Sequence, residues 1–225
     1  MPIDAIVFDF DGLLMDTEST LFACWQYEWR QYGLELDPAT FFADHGGDVT
    51  AERYRQLAAA VGPRFDHETS HTRRLAHRDT LHRQLGLREG IDAWLTQARA
   101  AGLRCAVASS SSEAWVTGLL AQVDRLDAFA ALAFGNEVSS PKPAPDVYRL
   151  ALDRLGLAPA QAIAVEDTPH GVAAARAAGL SCIAVPNPFA DPAHFTAADL
   201  LLVSAADLPL HAAVETLMGT ASSAT

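Results

Sequence analysis

Lysine is all but missing from this 225-residue sequence: fifteen of its sixteen basic residues are arginine, and the single lysine is Lys142. Positive charge as a whole is scarce, because those sixteen residues face 28 acidic ones and the formal net charge is −12. That balance excludes nucleic acid or an anionic membrane as the main partner, since both attract basic surface. An anionic substrate would need positive charge concentrated in one place. Cysteine is scarce too. Cys24, Cys105 and Cys182 are odd in number and far apart, which excludes a disulfide framework and a zinc pattern and marks them as reduced core residues. No apolar run reaches the length of about 18 residues that would span a bilayer. Met1-Pro2-Ile3-Asp4 lacks the basic start and apolar stretch of a signal peptide, so a cytoplasmic protein is expected. A 50% hydrophobic content is enough for a real core, and the length suits one domain or a core with a smaller insertion.

What is present begins with Asp4 to Glu18, D-A-I-V-F-D-F-D-G-L-L-M-D-T-E. Ile6, Val7, Phe8 and Phe10 are β-branched or aromatic with few polar neighbours, as in a strand buried on both faces of a parallel sheet. Asp9 and Asp11 then fall at its C-terminal end and share a face. Two acids there repel one another, so a cation or a shared proton is the natural resident of the pair.

Beyond it, Leu21, Phe22, Trp25, Glu28 and Trp29 pattern a helix ending near Gly33. Pro38 to Gly46 reads as a short helix or turn, and Ala51 to Val61 and Phe65 to Leu85 as further helices. No strand pattern interrupts them. A helical block of this size is too long for an ordinary crossover and reads as an inserted domain. From Arg88 helix and strand alternate. Strands are expected at Leu103 to Ala108, Leu132 to Phe134, Ala162 to Val165, Ser181 to Val185 and Asp199 to Val203. Helices are expected on Ile91, Trp94, Leu95 and Ala98, on Trp115, Val116, Leu119 and Leu120, from Pro145 to Gly156, and from an N-cap at Thr168 to Gly179. The alternation predicts an α/β fold, a doubly wound, Rossmann-like parallel sheet formed by residues 1–16 and 86–225, with residues 17–85 as a helical insertion. Gly219 to Thr225 is expected to fray.

Parallel strands bring their C-terminal ends to one edge, and three of those ends carry polar clusters: Asp9 with Asp11, Ser109 with Ser110, and Glu166 with Asp167. Lys142, held between Pro141 and Pro143, lies on a loop of the same edge. Its survival in so arginine-rich a chain points to a site that needs a compact ammonium rather than a planar fork. Hard oxygen ligands without His or Cys suit Mg²⁺, commonly shared between carboxylates and a phosphate. Phosphoryl transfer asks mainly for positioning and charge neutralisation, and this set supplies both.

Four segments, D-F-D-G-L-L-M-D-T-E, Ser109 after A-V-A, Lys142 in P-K-P-A-P-D and Glu166-Asp167 in V-E-D-T-P-H-G, resemble in order the motifs of the haloacid dehalogenase superfamily, in its phosphatase and β-phosphoglucomutase-like branch. The resemblance covers nearly the whole chain. It implies that Asp9 attacks phosphorus and that Asp11 protonates the leaving oxygen and later deprotonates water. Ser109 and the Ser110 amide would hold the phosphoryl group, Lys142 would neutralise it, and Asp9, Asp11, Glu166 and Asp167 would hold Mg²⁺. It also implies that Thr17 to Leu85 is a helical cap that selects substrate, with Gly46-Gly47 opening a loop that reaches the core. Leu21 stands where a β-phosphoglucomutase has a histidine and Val49 near its arginine, so hydrolysis is expected ahead of a hexose-phosphate mutase. The expected partner is a small phosphorylated metabolite of sugar phosphate or phosphoglycolate type, and the expected state a monomer or weak homodimer.

Three rival readings weigh less. His67-Glu68-Thr69-Ser70-His71 matches the zinc-hydrolase pattern H-E-x-x-H, but Arg74 replaces the glycine that would turn His77 back, and on a continuing helix His77 lies ~15 Å along the axis from His67. This stretch, with Arg53, Arg73 and Arg74, reads instead as a solvated face, although the arginines are candidates for a substrate contact. A catalytically silent binder is disfavoured by the intact Asp9, Asp11, Ser109, Lys142 and Asp167. A dehalogenase is disfavoured by Asp11, which such chemistry would not use.

Overall fold

The computed structural model describes residues 3–42 and 49–222. Its helices are α1 (Thr17–Arg30), α2 (Pro38–Phe41), α3 (Thr50–Val61), α4 (His67–His82), α5 (Ile91–Ala100), α6 (Glu113–Gln122), α7 (Asp146–Leu155), α8 (Pro169–Ala177) and α9 (Leu210–Ser222). Strands β1 (Ala5–Phe8), β2 (Arg104–Ala108), β3 (Ala131–Ala133), β4 (Ala162–Glu166), β5 (Ser181–Ala184) and β6 (Leu200–Leu201) form one parallel sheet in the order β3-β2-β1-β4-β5-β6. The contacts divide the chain into two compact units, one built from the chain up to Asp16 and from Gly86 onward, the other Thr17–Leu85.

In the first unit β1 is central because it is the most apolar strand, with all four residues fully buried. Ala5 and Val7 pack with Ala106, Ala164, Tyr148 of α7 and Val172 of α8 on one face. Ile6 and Phe8 point the other way and are equally buried, as a strand covered on both sides requires. Phe8 lies level with Val107 of β2 and Val165 of β4, so the next residues, Asp9, Ala108 and Glu166, stand side by side as the strands end. The strand order reverses between β1 and β4, the kind of switch point at whose carboxyl ends open α/β sheets bind ligands. Gly12, at φ 76°, lets the chain turn back at once after the two acids.

Among the described residues the second unit contains helices and no strand. Asp37 caps α2, and Asp66 caps α4 by accepting the Thr69 N–H at 2.8 Å, so α4 starts two residues later than the charge pattern suggests. Its arginines do not form the expected solvated face. Arg73 reaches inward to Glu28 of α1, which is fully buried, with N–O distances of 2.8 and 2.5 Å. Arg74 is buried over the Trp25 ring and donates to Tyr54 Oη at 2.8 Å. Arg53 lies 3.8 Å from the Phe41 ring centroid. The histidines also face neighbours: Tyr54 Oη is 3.0 Å from His71 Nδ1, His67 stacks on His71, and His77 stacks on Tyr27.

Two further expectations are corrected. The last strand is only Leu200–Leu201, because Val203 N–H turns to Asp207 Oδ2 instead of a ladder partner. Gly219 to Ser222 continues α9, whose Leu210, Ala213 and Leu217 are buried. No helix of the described residues is long and apolar enough to cross a membrane.

Candidate active site

Lys142 Nζ spends its three donors on three elements: Asp9 Oδ1 at 2.5 Å, the Ala108 carbonyl at 2.8 Å and Glu166 Oε1 at 2.7 Å. A lysine reaches all three because the parallel register has already brought β1, β2 and β4 level. Burial alone would lower the ammonium's pKa, but the Asp9 and Glu166 carboxylates outweigh it and hold Lys142 above the ordinary lysine range. Tyr148, entirely buried in α7, donates its hydroxyl to the same Glu166 oxygen at 2.7 Å. Burial and then the Glu166 and Asp9 charges push that phenol well up, so it stays a donor. Glu166 Oε2 accepts the Asp167 N–H at 3.0 Å. A Cβ on Gly171 would lie within 2.0 Å of the Glu166 carboxylate, so α8 can start where it does only with glycine there.

Oxygens of Asp9, Glu166 and Asp167 all lie within 4.8 Å of one another, and all three residues are buried. Asn187 Nδ2 steadies Asp167 Oδ2 at 2.8 Å. Burial, followed by the Glu166 and Asp11 charges, raises the Asp9 carboxyl although Lys142 pulls it down. One ammonium cannot balance three buried carboxylates, so the set has the charge and the hard oxygen donors that suit a divalent cation such as Mg²⁺. Glu166 is also held by Lys142, Tyr148 and backbone N–H groups.

The second acid of the first segment faces another way. Asp11 Oδ1 accepts the Trp115 indole N–H at 2.8 Å, and Oδ2 accepts the Ser111 hydroxyl at 2.6 Å with Ser109 Oγ at 3.4 Å. Ser109, fully buried, accepts the Ser111 N–H at 2.9 Å. The exposed Ser110 follows on the same turn, and its carbonyl lies 2.0 Å from where a Gly135 Cβ would be, so only glycine lets these loops meet. Arg88 ties the loop after β1 to the chain after β5: its guanidinium donates to the Gly12 carbonyl, to Val185 O at 3.4 Å and to Pro186 O at 3.0 Å.

Of the residues expected from sequence, Asp9, Lys142, Glu166 and Asp167 are joined by one set of contacts and Asp11 with Ser109 by another, next to it along the chain, with Ser110 adjoining the second. Gly46 lies outside the described residues. The sequence reading did not single out Ser111, Trp115, Tyr148, Asn187 or Arg88. Trp115 and Tyr148 sit in apolar helix patterns that hide their polar edges; the run of four serines was the only signal for Ser111.

Residues 6–185 match the sequence profile of the family described as haloacid dehalogenase-like hydrolase. The chain is 35% identical to protein CbbY of Rhodobacter capsulatus over 88% of its own length and 92% of that protein's. It is 29% identical to fructose-1-phosphate phosphatase YqaB of Escherichia coli, covering 80% of this chain and 95% of that one. The crystal structure of CbbY from Rhodobacter sphaeroides in complex with phosphate superposes with a TM-score of 0.71 at 31% identity, over 92% of this chain and 96% of that one.

Proposed function

Since the chain belongs to the haloacid dehalogenase-like hydrolases, we propose that it is a cytoplasmic, Mg²⁺-dependent phosphatase that hydrolyses a small sugar phosphate through an aspartyl-phosphate on Asp9. The observation that carries this reading is the Lys142 ammonium 2.5 Å from Asp9 Oδ1, beside the buried Glu166 and Asp167. A carboxylate is a weak nucleophile that works when nearby cations neutralise it and the group it attacks. The phosphatase named among the relatives and the phosphate-bound neighbour support phosphorylated sugars as the substrate class.

In the first step an Asp9 oxygen attacks phosphorus while the bond to the leaving oxygen breaks, and Asp11 gives that oxygen its proton. In the second, Asp11 takes a proton from water as the water oxygen attacks phosphorus and the bond to Asp9 breaks. Ser109 and the Ser110 amide hold the phosphoryl oxygens, and Lys142 offsets the charge shared between Asp9 and the phosphoryl group. Asp9, Asp167 and the Asp11 carbonyl would hold Mg²⁺, with Glu166 assisting; when bound, the ion neutralises phosphoryl charge. The Thr17–Leu85 unit, helical among its described residues and inserted between β1 and β2, serves as the cap that selects substrate. Leu21 and Val49, in place of a histidine and an arginine expected of a mutase, favour hydrolysis.

The test is phosphate release from a panel of sugar phosphates, phosphoglycolate and nucleotides, with Mg²⁺ or with EDTA, for wild type and Asp9→Asn. Release by the wild type with Mg²⁺ alone, absent in Asp9→Asn, is expected. No release from any substrate by the folded wild type, or undiminished release by Asp9→Asn, overturns the reading.

A further inference from the structure

The proton-transfer carboxylate is gripped asymmetrically. Trp115 Nε1 meets Asp11 Oδ1 at 2.8 Å, while Ser111 Oγ meets Oδ2 at 2.6 Å and Ser109 Oγ stands 3.4 Å from that same oxygen. The two donors differ in kind. An indole N–H donates and can never accept, whereas a hydroxyl can turn and do either. A proton on Oδ1 would compete with the indole N–H for that oxygen's lone pairs and weaken the bond. A proton on Oδ2 meets serine oxygens that can accept it.

We propose that Trp115 is a positioning residue that assigns the working proton of Asp11 to Oδ2, the oxygen on the Ser109 side, and holds the carboxylate there through both half-reactions. The inference rests on the phosphatase reading and deepens it, because that reading requires Asp11 to act first as acid and then as base. In the first half-reaction the Oδ2–H bond breaks and its proton goes to the leaving oxygen as the P–O bond opens. In the second, the attacking water gives its proton back to Oδ2 as the bond between phosphorus and Asp9 breaks. Throughout, Trp115 keeps Oδ1 occupied as an acceptor, so the carboxylate keeps its proton on the Ser109 side. Trp115 comes in the first turn of α6, directly after the serine loop, which lets one short segment supply both grips.

The test separates steps that need this proton from the step that does not. Trp115→Phe keeps an aromatic ring and loses the N–H. With an alkyl phosphate, kcat should fall about a hundredfold while KM holds, the scale of loss for a misdirected catalytic group. With p-nitrophenyl phosphate, whose leaving group departs unprotonated, the first-turnover burst of p-nitrophenolate should keep its wild-type rate, and only the following steady state should slow. Should Trp115→Phe not fold, benzothienylalanine introduced at position 115, which has the indole's shape with sulfur in place of N–H, takes its place with the same expectation. A variant that turns over alkyl phosphates like the wild type, or one that loses burst and steady state equally, overturns the inference and leaves the phosphatase reading standing. A wild type that releases no phosphate overturns the reading itself and is seen before any variant is made.

Discussion

Tyr148 and Lys142 share one acceptor, Glu166 Oε1, each at 2.7 Å, and the Lys142 ammonium lies 4.8 Å from the centre of the Tyr148 ring. The phenol thus fixes the carboxylate that in turn aims the lysine at Asp9. Tyr148→Phe should keep the packing of α7 and lose about 2 kcal/mol of stability, the worth of a buried hydrogen bond to a charged group. Urea unfolding checks the size. An unchanged midpoint would mean that Lys142 and the backbone N–H groups hold Glu166 without the phenol.

Gly171→Ala is expected to damage fold and activity together. Its new Cβ would lie 1.9–2.0 Å from the Glu166 carboxylate, a group that Lys142, Tyr148 and the Asp167 N–H keep from moving aside. Overpacking of this kind costs about 1–3 kcal/mol. Thermal unfolding and phosphate release, measured on one preparation, should fall in step.

Mg²⁺ should stabilise the wild-type protein, by about 2.7 kcal/mol at a hundred times its Kd, and should do so far less in Asp167→Asn. Burial raises the Asp9 carboxyl, so at acid pH that group carries a proton the cation must displace. Affinity for Mg²⁺ should therefore climb as pH rises from the ordinary carboxylate range toward the raised value, and level off above it. Titration calorimetry at a series of pH values reads the slope directly. An affinity that fell with rising pH would contradict the charge argument.

In the helical unit the pair to test is Glu28 and Arg73. Glu28 is fully buried and depends on the Arg73 fork at 2.8 and 2.5 Å. Arg73→Met strands the carboxylate and should cost about 3 kcal/mol; the double change Glu28→Gln with Arg73→Met should recover much of it. Denaturation of the four-member cycle gives the coupling.

The sequence made legible whatever depends on strand ends, because parallel strands align their termini by rule. Asp9, Ser109 and Glu166 each terminate an apolar run, and the lone lysine among arginines announced itself. Residues that work across long separations stayed hidden. Trp115 shares its helix face with Val116, Leu119 and Leu120, and nothing in that pattern reveals that its N–H turns to an aspartate 104 positions away. Tyr148 and Asn187 gain meaning only once β4 delivers Glu166 and Asp167 beside them. In the insertion the charge pattern misled, because Arg73 and Arg74 look like surface residues until Glu28 and Tyr54 are seen to draw them inward.

The central position of β1 also sets an order of events on the ribosome. This strand is made first, yet its neighbours begin at Arg104 and Ala162. At about 5–20 residues per second, the most apolar stretch of the chain waits roughly ten to thirty seconds for its second flank. Until β2 emerges both edges of the strand that leads into Asp9 are unpaired, and until β4 emerges one edge still is; unpaired strand edges of this kind are prone to aggregate.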